Sequence, residues 1–279
     1  MKKNFLLITF LCLSFYSLSF AAFEDLGVTV RGKVLGDGFV ASCNDFGAIY
    51  YNPSMLCLIK DRELSVFYHN IYNLGLLDHT FVGYIHPKIG KGGIGIGWIR
   101  MGTSGNVDFM EYSENTFVFS YGQKFNRKIY VGGNIKYYFV DYDYRASGYG
   151  ADFGSMLSAY RWLRVGLLWQ NCVASNILWQ TGTKETLGSV LKLGLGADYK
   201  KQLFLIGLRY EKEIETTIGW EWTATKLLTI SAGSRFGSKE NSTYSAGISI
   251  GTKKFKFSYG MEFHNILGLS SFLDFALKI

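Results

Sequence analysis

The side chains best suited to proton transfer or metal binding are the four histidines, His69, His79, His86 and His264. Asp78 precedes His79, and a histidine beside a carboxylate can activate water or a serine hydroxyl. Nothing in the sequence brings a nucleophile beside this pair, which falls where a loop meets a predicted strand. We therefore expect no catalytic residue and no enzyme activity.

The cysteines give no pattern typical of a metal or redox site. Cys12 belongs to an apolar N-terminal stretch, which leaves Cys43, Cys57 and Cys172. An odd number excludes a fully paired disulfide framework, while Cys43 and Cys57 are either paired with each other or free thiols. The sequence has no CxxC motif and no Cys/His spacing of the kind that binds zinc. We expect no metal and no cofactor.

A glycine-rich run at 90–97, G-K-G-G-I-G-I-G, superficially suggests a phosphate-binding loop. It lacks the G-K-[ST] ending, and no helical pattern follows it. An alternating spacing instead places Gly93, Gly95 and Gly97 on one face of a strand, with isoleucines on the other. Two interpretations remain open. The glycine face makes room for an inner segment, or it weakens the strand so that the strand opens sideways, as a lateral gate.

These residues lie in a long series of alternating segments. From Glu63 to Ile279, about fourteen segments of roughly ten residues alternate apolar and polar side chains. The predicted strands are 63–69, 79–86, 92–101, 114–123, 128–140, 149–159, 161–169, 188–199, 202–211, 214–224, 226–236, 241–250, 254–263 and 269–279. Such a series predicts an all-β fold, namely an up-and-down antiparallel transmembrane β-barrel over residues 63–279.

Individual strands indicate which face meets lipid. Phe255, Phe257 and Tyr259 share one register, while Lys254 and Lys256 share the other. A charge facing lipid at the bilayer midplane costs roughly 2–4 kcal/mol, so the polar register must face the lumen. The connections agree, because short turns follow the even-numbered strands and several longer loops follow the odd-numbered ones. A soluble β-sandwich would rarely combine charges this sparse with aromatics this dense.

Composition supports the barrel. The chain has 19 Tyr, 22 Phe and 6 Trp, which suits aromatic girdles at the two membrane interfaces. Its mean hydropathy is only +0.09, since half of each strand faces a polar lumen. The net charge of +7 falls to about +5 without Lys2 and Lys3, and it is dispersed. The sequence therefore predicts membrane lipid, and not nucleic acid, as a partner.

The N-terminus predicts export. Lys2 and Lys3 precede an apolar stretch at 5–20, and Ser19 and Ala21 are small residues at the positions that a signal peptidase requires. We expect residues 1–21 to be a signal peptide that is cleaved after Ala21. An uncleaved membrane helix is the alternative. Export and a β-barrel together predict the bacterial outer membrane.

Residues 22–62 lie between the signal and the barrel and differ from both. They are rich in glycine and apolar side chains and contain Asn52-Pro53-Ser54 after Tyr50 and Tyr51. Asparagine before proline favours an extended backbone, and its side chain can fix a local turn. Because the segment is apolar, we expect it to fold into the lumen as a plug, or hatch, anchored by these five residues.

The run from Gly36 to Leu56, G-D-G-F-V-A-S-C-N-D-F-G-A-I-Y-Y-N-P-S-M-L, resembles the N-terminal signature of FadL-like outer-membrane transporters and of the related PorV-like proteins. The resemblance implies a fourteen-stranded barrel with an N-terminal plug. It also implies a lateral exit at the third strand, where this chain has Gly93, Gly95 and Gly97.

Two functions follow from this resemblance. The first is passive transport of hydrophobic small molecules across the outer membrane by a monomeric barrel of the type that carries long-chain fatty acids. The second is a barrel of the PorV type that does not transport but binds or shuttles secreted proteins. The glycine-rich third strand favours transport, whereas external loops shorter than those of typical fatty-acid transporters favour secretion coupling. If the protein transports, we expect Asn52-Pro53-Ser54, braced by Tyr50 and Tyr51, to anchor the plug against the lower wall beside the glycines of the third strand. The plug then shifts, and an apolar solute leaves sideways into the membrane.

Overall fold

A computed structural model describes residues 23–104, 111–174, 176–237 and 242–279. The predicted signal peptide lies outside these residues. In the described part of the chain, no helix is long and apolar enough to cross a membrane.

Fourteen strands form a closed antiparallel barrel, as the sequence predicts. They are β1 (Glu63–Asn70), β2 (Leu77–Ile89), β3 (Gly92–Thr103), β4 (Ser113–Lys124), β5 (Ile129–Asp141), β6 (Ala146–Ser158), β7 (Leu163–Ala174), β10 (Val190–Tyr199), β11 (Gln202–Tyr210), β12 (Ile214–Thr223), β13 (Leu228–Phe236), β14 (Thr243–Gly251), β15 (Phe255–His264) and β16 (Gly268–Lys278). Each of the fourteen predicted segments overlaps one of them. Each strand pairs with its neighbours along the barrel, and β1 pairs with β16 from Glu63↔Lys278 to Asn70↔Ser271 to close it.

Two further short strands, β8 (Ile177–Trp179) and β9 (Lys184–Glu185), form a hairpin in the loop after β7. The predicted strands leave residues 170–187 as a loop. β8 adds onto the start of β6, where Ala146 pairs with Trp179. A three-residue strand is too short for alternation to reveal it, and its pairing partner lies far away in sequence.

The two faces of the wall follow the predicted registers. In β16, Leu273, Phe275 and Leu277 are exposed on the outside, while Asp274 and Ala276 are buried on the inside. The alternation continues around the barrel, so apolar and aromatic side chains form its outer belt. This is the surface of a transmembrane barrel, since the outer belt meets lipid and the inner register needs partners inside.

The N-terminal segment, which we define as Phe23–Arg62, supplies those partners. It contains helix α1 (Val30–Leu35), the 3-10 helix η1 (Asp37–Ala41), helix α2 (Ala48–Tyr51) and the 3-10 helix η2 (Pro53–Leu58); η3 (Ile71–Asn73) follows β1. Thr29 begins α1 by accepting a hydrogen bond from the Gly32 N–H at 2.8 Å. Gly36, with a φ of 69°, ends it. Short helices with capped ends let an irregular segment satisfy its own backbone.

The main core of the molecule lies between this segment and the inner wall. Phe39, Phe46 and Ile49 of the segment are buried together with Phe67 and Phe81 of β1 and β2. Phe46 stacks on Phe81 at a centroid distance of 6.0 Å. The barrel therefore has a packed interior at this level.

Candidate functional site

Asn52 fixes the turn that the sequence motif predicted. Its Oδ1 accepts hydrogen bonds from the Ser54 N–H at 3.2 Å and the Ser54 hydroxyl at 2.7 Å. Its Nδ2 donates to the carbonyl oxygens of Val40 at 2.8 Å and of Ser155, in β6, at 3.0 Å. The Asn52 amide is fully buried, and these four bonds satisfy both of its N–H donors and both acceptor positions of its oxygen. Asn52 thus links a local turn to the barrel wall.

Tyr50 and Tyr51 contact the start of the N-terminal segment. The Tyr50 hydroxyl donates to the Asp25 carboxylate, and the Tyr51 hydroxyl accepts from the Val28 N–H at 3.3 Å. The two rings pack edge to face at 5.2 Å. Burial raises the pKa of both phenols well above the usual value, so both remain protonated. The pair connects α2 to residues 25–28.

The wall beside Asn52-Pro53-Ser54 is made of glycines. Gly122 in β4 pairs with Gly132 in β5, which pairs with Gly154 in β6, and all three face inward. A Cβ atom on Gly132 would lie 2.5 Å from the Ser54 nitrogen, and one on Gly154 would lie 2.5 Å from Asn52 Oδ1. The sequence predicts this motif beside the third strand, whereas in the structure it lies against β4–β6.

Gly93, Gly95 and Gly97 of β3 face other residues of the same segment. A Cβ on Gly93 would lie 2.7 Å from the Leu56 carbonyl oxygen, and one on Gly95 would lie 2.6 Å from Ile49 Cγ1. One on Gly97 would meet Phe81 of β2 at 2.8 Å. β3 pairs with β4 without interruption from Gly92 to Gly102. In this conformation the glycine face is filled from the inside, so a lateral opening requires Ile49 and Leu56 to move.

Inward-facing glycines continue around the wall beyond β3, and the sequence prediction did not include them. In each case, a Cβ atom would come too close to the N-terminal segment. We call the full set the glycine belt; it comprises Gly93, Gly122, Gly132, Gly154, Gly166, Gly194, Gly207, Gly219 and Gly233. Cross-strand pairing such as Gly166↔Gly194↔Gly207 is the sequence signal that could have revealed it. Because glycine has no side chain, backbone packs directly on backbone here.

Buried ion pairs hold the beginning of the segment. Lys192 of β10 contacts Asp25 and also Asp37, the latter at 3.2 Å. Arg209 lies 3.7 Å from Asp25, and Arg235 lies 3.8 Å from Asp37. Burial alone would raise the pKa of both aspartates, but these cations outweigh it and hold each pKa below its usual value. Both carboxylates therefore stay ionised inside the barrel.

A second group of ion pairs surrounds Arg31 of α1. Its guanidinium binds Glu221 of β12 through two hydrogen bonds of 2.6 and 2.8 Å and binds Asp45 at 2.7 Å. Lys33 lies 3.3 Å from Glu262 of β15. Burial opposes ionisation of Asp45, yet Arg31 and Lys256 lower its pKa. Charges of both signs thus pair between segment and wall, which is how a polar inner register is satisfied.

An apolar cluster lies beside the first residue of the segment, Phe23, beneath the longer loops. Its buried members are Tyr138, Val140, Ala146, Ile177 and Leu187. Phe23 packs on Tyr138 at 4.8 Å, and its N–H donates to Glu114 at 2.5 Å. The β8–β9 hairpin contributes Ile177 to this cluster. Packed apolar and aromatic side chains therefore fill the loop end of the lumen.

The remaining candidate chemistry is dispersed. His69 and His79 are cross-strand neighbours with ring centroids 6.2 Å apart, while the Asp78 carboxylate accepts a hydrogen bond from Tyr68. Within the described ranges, no group of three or more histidine, cysteine or acidic side chains is placed to hold a metal ion. Cys43, Cys57 and Cys172 are free thiols. Burial raises the pKa of Cys57 to about 11.

Comparison with solved structures gives matches over most of the chain. The toluene transporter TbuX of Ralstonia pickettii matches with a TM-score of 0.67 at 11% identity, covering 91% of this chain and 98% of TbuX. The toluene transporter TodX of Pseudomonas putida gives 0.68 at 8% identity, covering 91% and 99%. A Pseudomonas aeruginosa FadL homologue gives 0.62 at 11% identity, covering 92% and 99%.

The sequence comparisons give no such match: no protein-family model and no curated protein matches the chain. The likeness therefore concerns the fold. The closed fourteen-stranded barrel confirms, at that level, the resemblance carried by Gly36 to Leu56. The chain has the fold of the FadL-type outer-membrane barrels.

Proposed function

We propose that this protein lies in the bacterial outer membrane and lets hydrophobic small molecules cross it passively. The observation that carries the proposal is the combination of a FadL-type barrel with an apolar cluster at the loop end of the lumen. TbuX and TodX, which share the fold, are toluene transporters. The side chains of the cluster around Tyr138 are buried, so an apolar solute entering from the loop side would displace Phe23 and the loops to reach them.

We assign the N-terminal segment the role of a plug. Its contacts with the glycine belt leave no side-chain clearance between segment and wall. The segment forms ion pairs with a cation of the wall, Lys192, and with an anion of the wall, Glu221, and both pairs hold it in place. A segment seated in this way would keep water and ions from passing straight through, which suits a transporter for solutes that do not need an aqueous pore.

The exit that we propose is lateral, through the wall at β3. Gly93, Gly95 and Gly97 present no side chains, so displacement of Ile49 and Leu56 would leave a gap lined by backbone. Leaving water is worth about 25 cal/mol per Å² of apolar surface to the solute, so a path into lipid is preferred over an aqueous one. The transporters and channels found by comparison offer no support for the PorV-like alternative, so we propose transport.

A disulfide clamp tests both the transport and its route. Cys43, Cys57 and Cys172 are first replaced by alanine, and Ile49→Cys is combined with Gly95→Cys, whose Cβ position lies 2.6 Å from Ile49 Cγ1. Proteoliposomes containing the unclamped protein should take up a fluorescent hydrophobic probe faster than empty ones. Oxidation should then abolish uptake by the clamped variant, and a reductant should restore it.

The matched control joins the segment to the far wall. Val34→Cys with Gly247→Cys has comparable geometry, since a Cβ on Gly247 would lie 3.1 Å from Val34 Cγ2. This clamp should leave uptake unchanged. Loss of uptake with both clamps, or with neither, would contradict the exit at β3. Equal uptake by proteoliposomes with and without the unclamped protein would contradict transport itself.

A further inference from the structure

The outer wall carries an apolar groove over strands β4–β6. Its volume is about 400 Å³. Its lining includes the outward residues Phe119, Tyr121, Gln123, Gly133, Ile135 and Phe153. Phe119, Ile135 and Phe153 are exposed on the outer surface. The groove therefore opens toward the lipid and not toward the lumen.

Gly133 forms the floor of this groove. It pairs with Tyr121 on one side and with Phe153 on the other, so two aromatic side chains stand beside a position that has none. A Cβ at Gly133 would have only the Asp152 carbonyl oxygen within 4 Å, at 3.2 Å. The glycine belt is explained by the N-terminal segment, whereas no group in the described part of the chain fills the space over Gly133.

A basic turn adjoins the groove. β4 contains Gln123, which lines the groove, and ends at Lys124. The residues Phe125-Asn126-Arg127-Lys128 then connect it to β5. Lys124 belongs to the inner register of β4 and lies over the buried Tyr130 ring at 5.7 Å, so it does not face the lipid. Arg127 and Lys128 form no ion pair with any residue in the described ranges, and Lys128 Nζ donates a hydrogen bond to the Ala159 carbonyl oxygen at 3.4 Å. Phe125 is 71% exposed at the same turn. Two cations without an ion-pair partner beside an exposed aromatic ring suit the interface between the membrane and water.

We propose that the groove and the basic turn together bind one anionic glycerophospholipid. Its acyl chain lies over Gly133 between Tyr121 and Phe153, and its phosphate meets Arg127 and Lys128. The groove runs about four residues along β4 and β5, or roughly 13 Å, so it accepts part of one acyl chain from a single leaflet. The leaflet is the one at the short-turn end, because Lys124 ends β4 there. This site does not depend on transport.

The charge and the shape of the site each exclude a simpler ligand. A neutral hydrocarbon would use the groove but gain nothing from the cations. Free phosphate would use the cations but gain nothing from the groove. A phospholipid uses both, and its polar and apolar parts are joined in the order in which the wall presents the two surfaces.

Native mass spectrometry of the full chain tests the proposal, with the protein released from nanodiscs of mixed phosphatidylethanolamine and phosphatidylglycerol. The unmodified barrel should retain one phosphatidylglycerol in preference to phosphatidylethanolamine. Gly133→Leu, which fills the floor, and the double change Arg127→Gln/Lys128→Gln should each lower the retained fraction by roughly tenfold.

Two matched controls should retain the lipid fully. Ala232→Leu enlarges another exposed side chain on the outer face, on β13, and Lys253→Gln/Lys254→Gln removes cations from another short turn. Heat-modifiable gel migration confirms that each variant is folded. Retention of lipid by Gly133→Leu, or equal loss in the controls, would overturn the site. Displacement by inorganic phosphate alone, or by toluene alone at concentrations that leave the barrel folded, would show a phosphate or a hydrocarbon site instead and would likewise overturn it.

Discussion

The side-chain amide of Asn52 lies 3.0 Å from the carbonyl oxygen of Ser155 and donates a hydrogen bond to it. This bond joins the N-terminal segment to β6, and the same amide accepts from Ser54 and donates to Val40. Because Asn52 is completely buried, no water replaces a lost partner. The motif residue is thus a structural link between turn and wall.

Replacing Asn52 by aspartate should destabilise the seated segment. The carboxylate keeps the acceptor role toward Ser54 but loses both donors, which leaves the carbonyl oxygens of Val40 and Ser155 unpaired. We expect a loss of about 1–3 kcal/mol in the free energy of unfolding, measured by urea titration in detergent micelles. Asn126→Asp is the control, since Asn126 Oδ1 only accepts bonds from Lys128 and Ile129. Equal losses in both variants would contradict this role of Asn52.

Adding one methyl group should distinguish inner from outer glycines. Gly132→Ala places a Cβ 2.5 Å from the Ser54 nitrogen, so backbone must shift at a cost of about 1–3 kcal/mol. Gly133→Ala, one residue further along β5 but facing outward, meets only one atom at 3.2 Å and should cost far less. The same urea titration measures both. A smaller loss for Gly132→Ala than for Gly133→Ala would show that backbone contact with the segment is not what requires glycine.

Gly95→Val should abolish uptake of a hydrophobic probe while the barrel remains folded in the membrane. The new β-branched side chain is bulkier than the cysteine of the clamp; it fills the β3 glycine face and pushes against Ile49. Adding Ile49→Ala makes room, so the segment reseats. If β3 is the exit, uptake by the double variant stays low because the gap is still filled. Recovery of uptake would instead mean that Gly95 serves only to pack the segment.

Acid should loosen the start of the segment only at low pH. The folded-state pKa values of Asp25 and Asp37 lie below the unfolded-state value of about 3.9. Their contribution to stability is therefore fully present above that unfolded-state value and is lost as the pH falls toward the folded-state values. The hydrogen-exchange protection factors of residues 23–45, corrected for the intrinsic rate at each pH, should be unchanged between pH 7 and 5 and should fall below about pH 4. In Asp37→Asn, this fall should be smaller; a fall already at pH 6 would point to other groups.

The sequence revealed the strands because each barrel strand repeats a two-residue pattern over enough length to be recognised. Leu273 and Phe275 face outward and Asp274 inward, as alternation requires. It revealed the Asn52 turn because the bonds to Ser54 are local. It could not place that turn on Gly122, Gly132 and Gly154, since those contacts join residues far apart in the chain and ordinary strand glycines carry no mark of what they touch.

The seam between β1 and β16 dictates the order in which the protein can be built. Glu63 begins β1 directly after the N-terminal segment, and its partner Lys278 belongs to the final strand, so the wall closes last. The backbone of the N-terminal segment touches the glycine belt too closely to thread through a barrel that has already closed. The segment must enter while the sheet is still open, and the curling sheet then wraps around it. The segment thus acts as an internal template that sets the circumference of the barrel during membrane insertion.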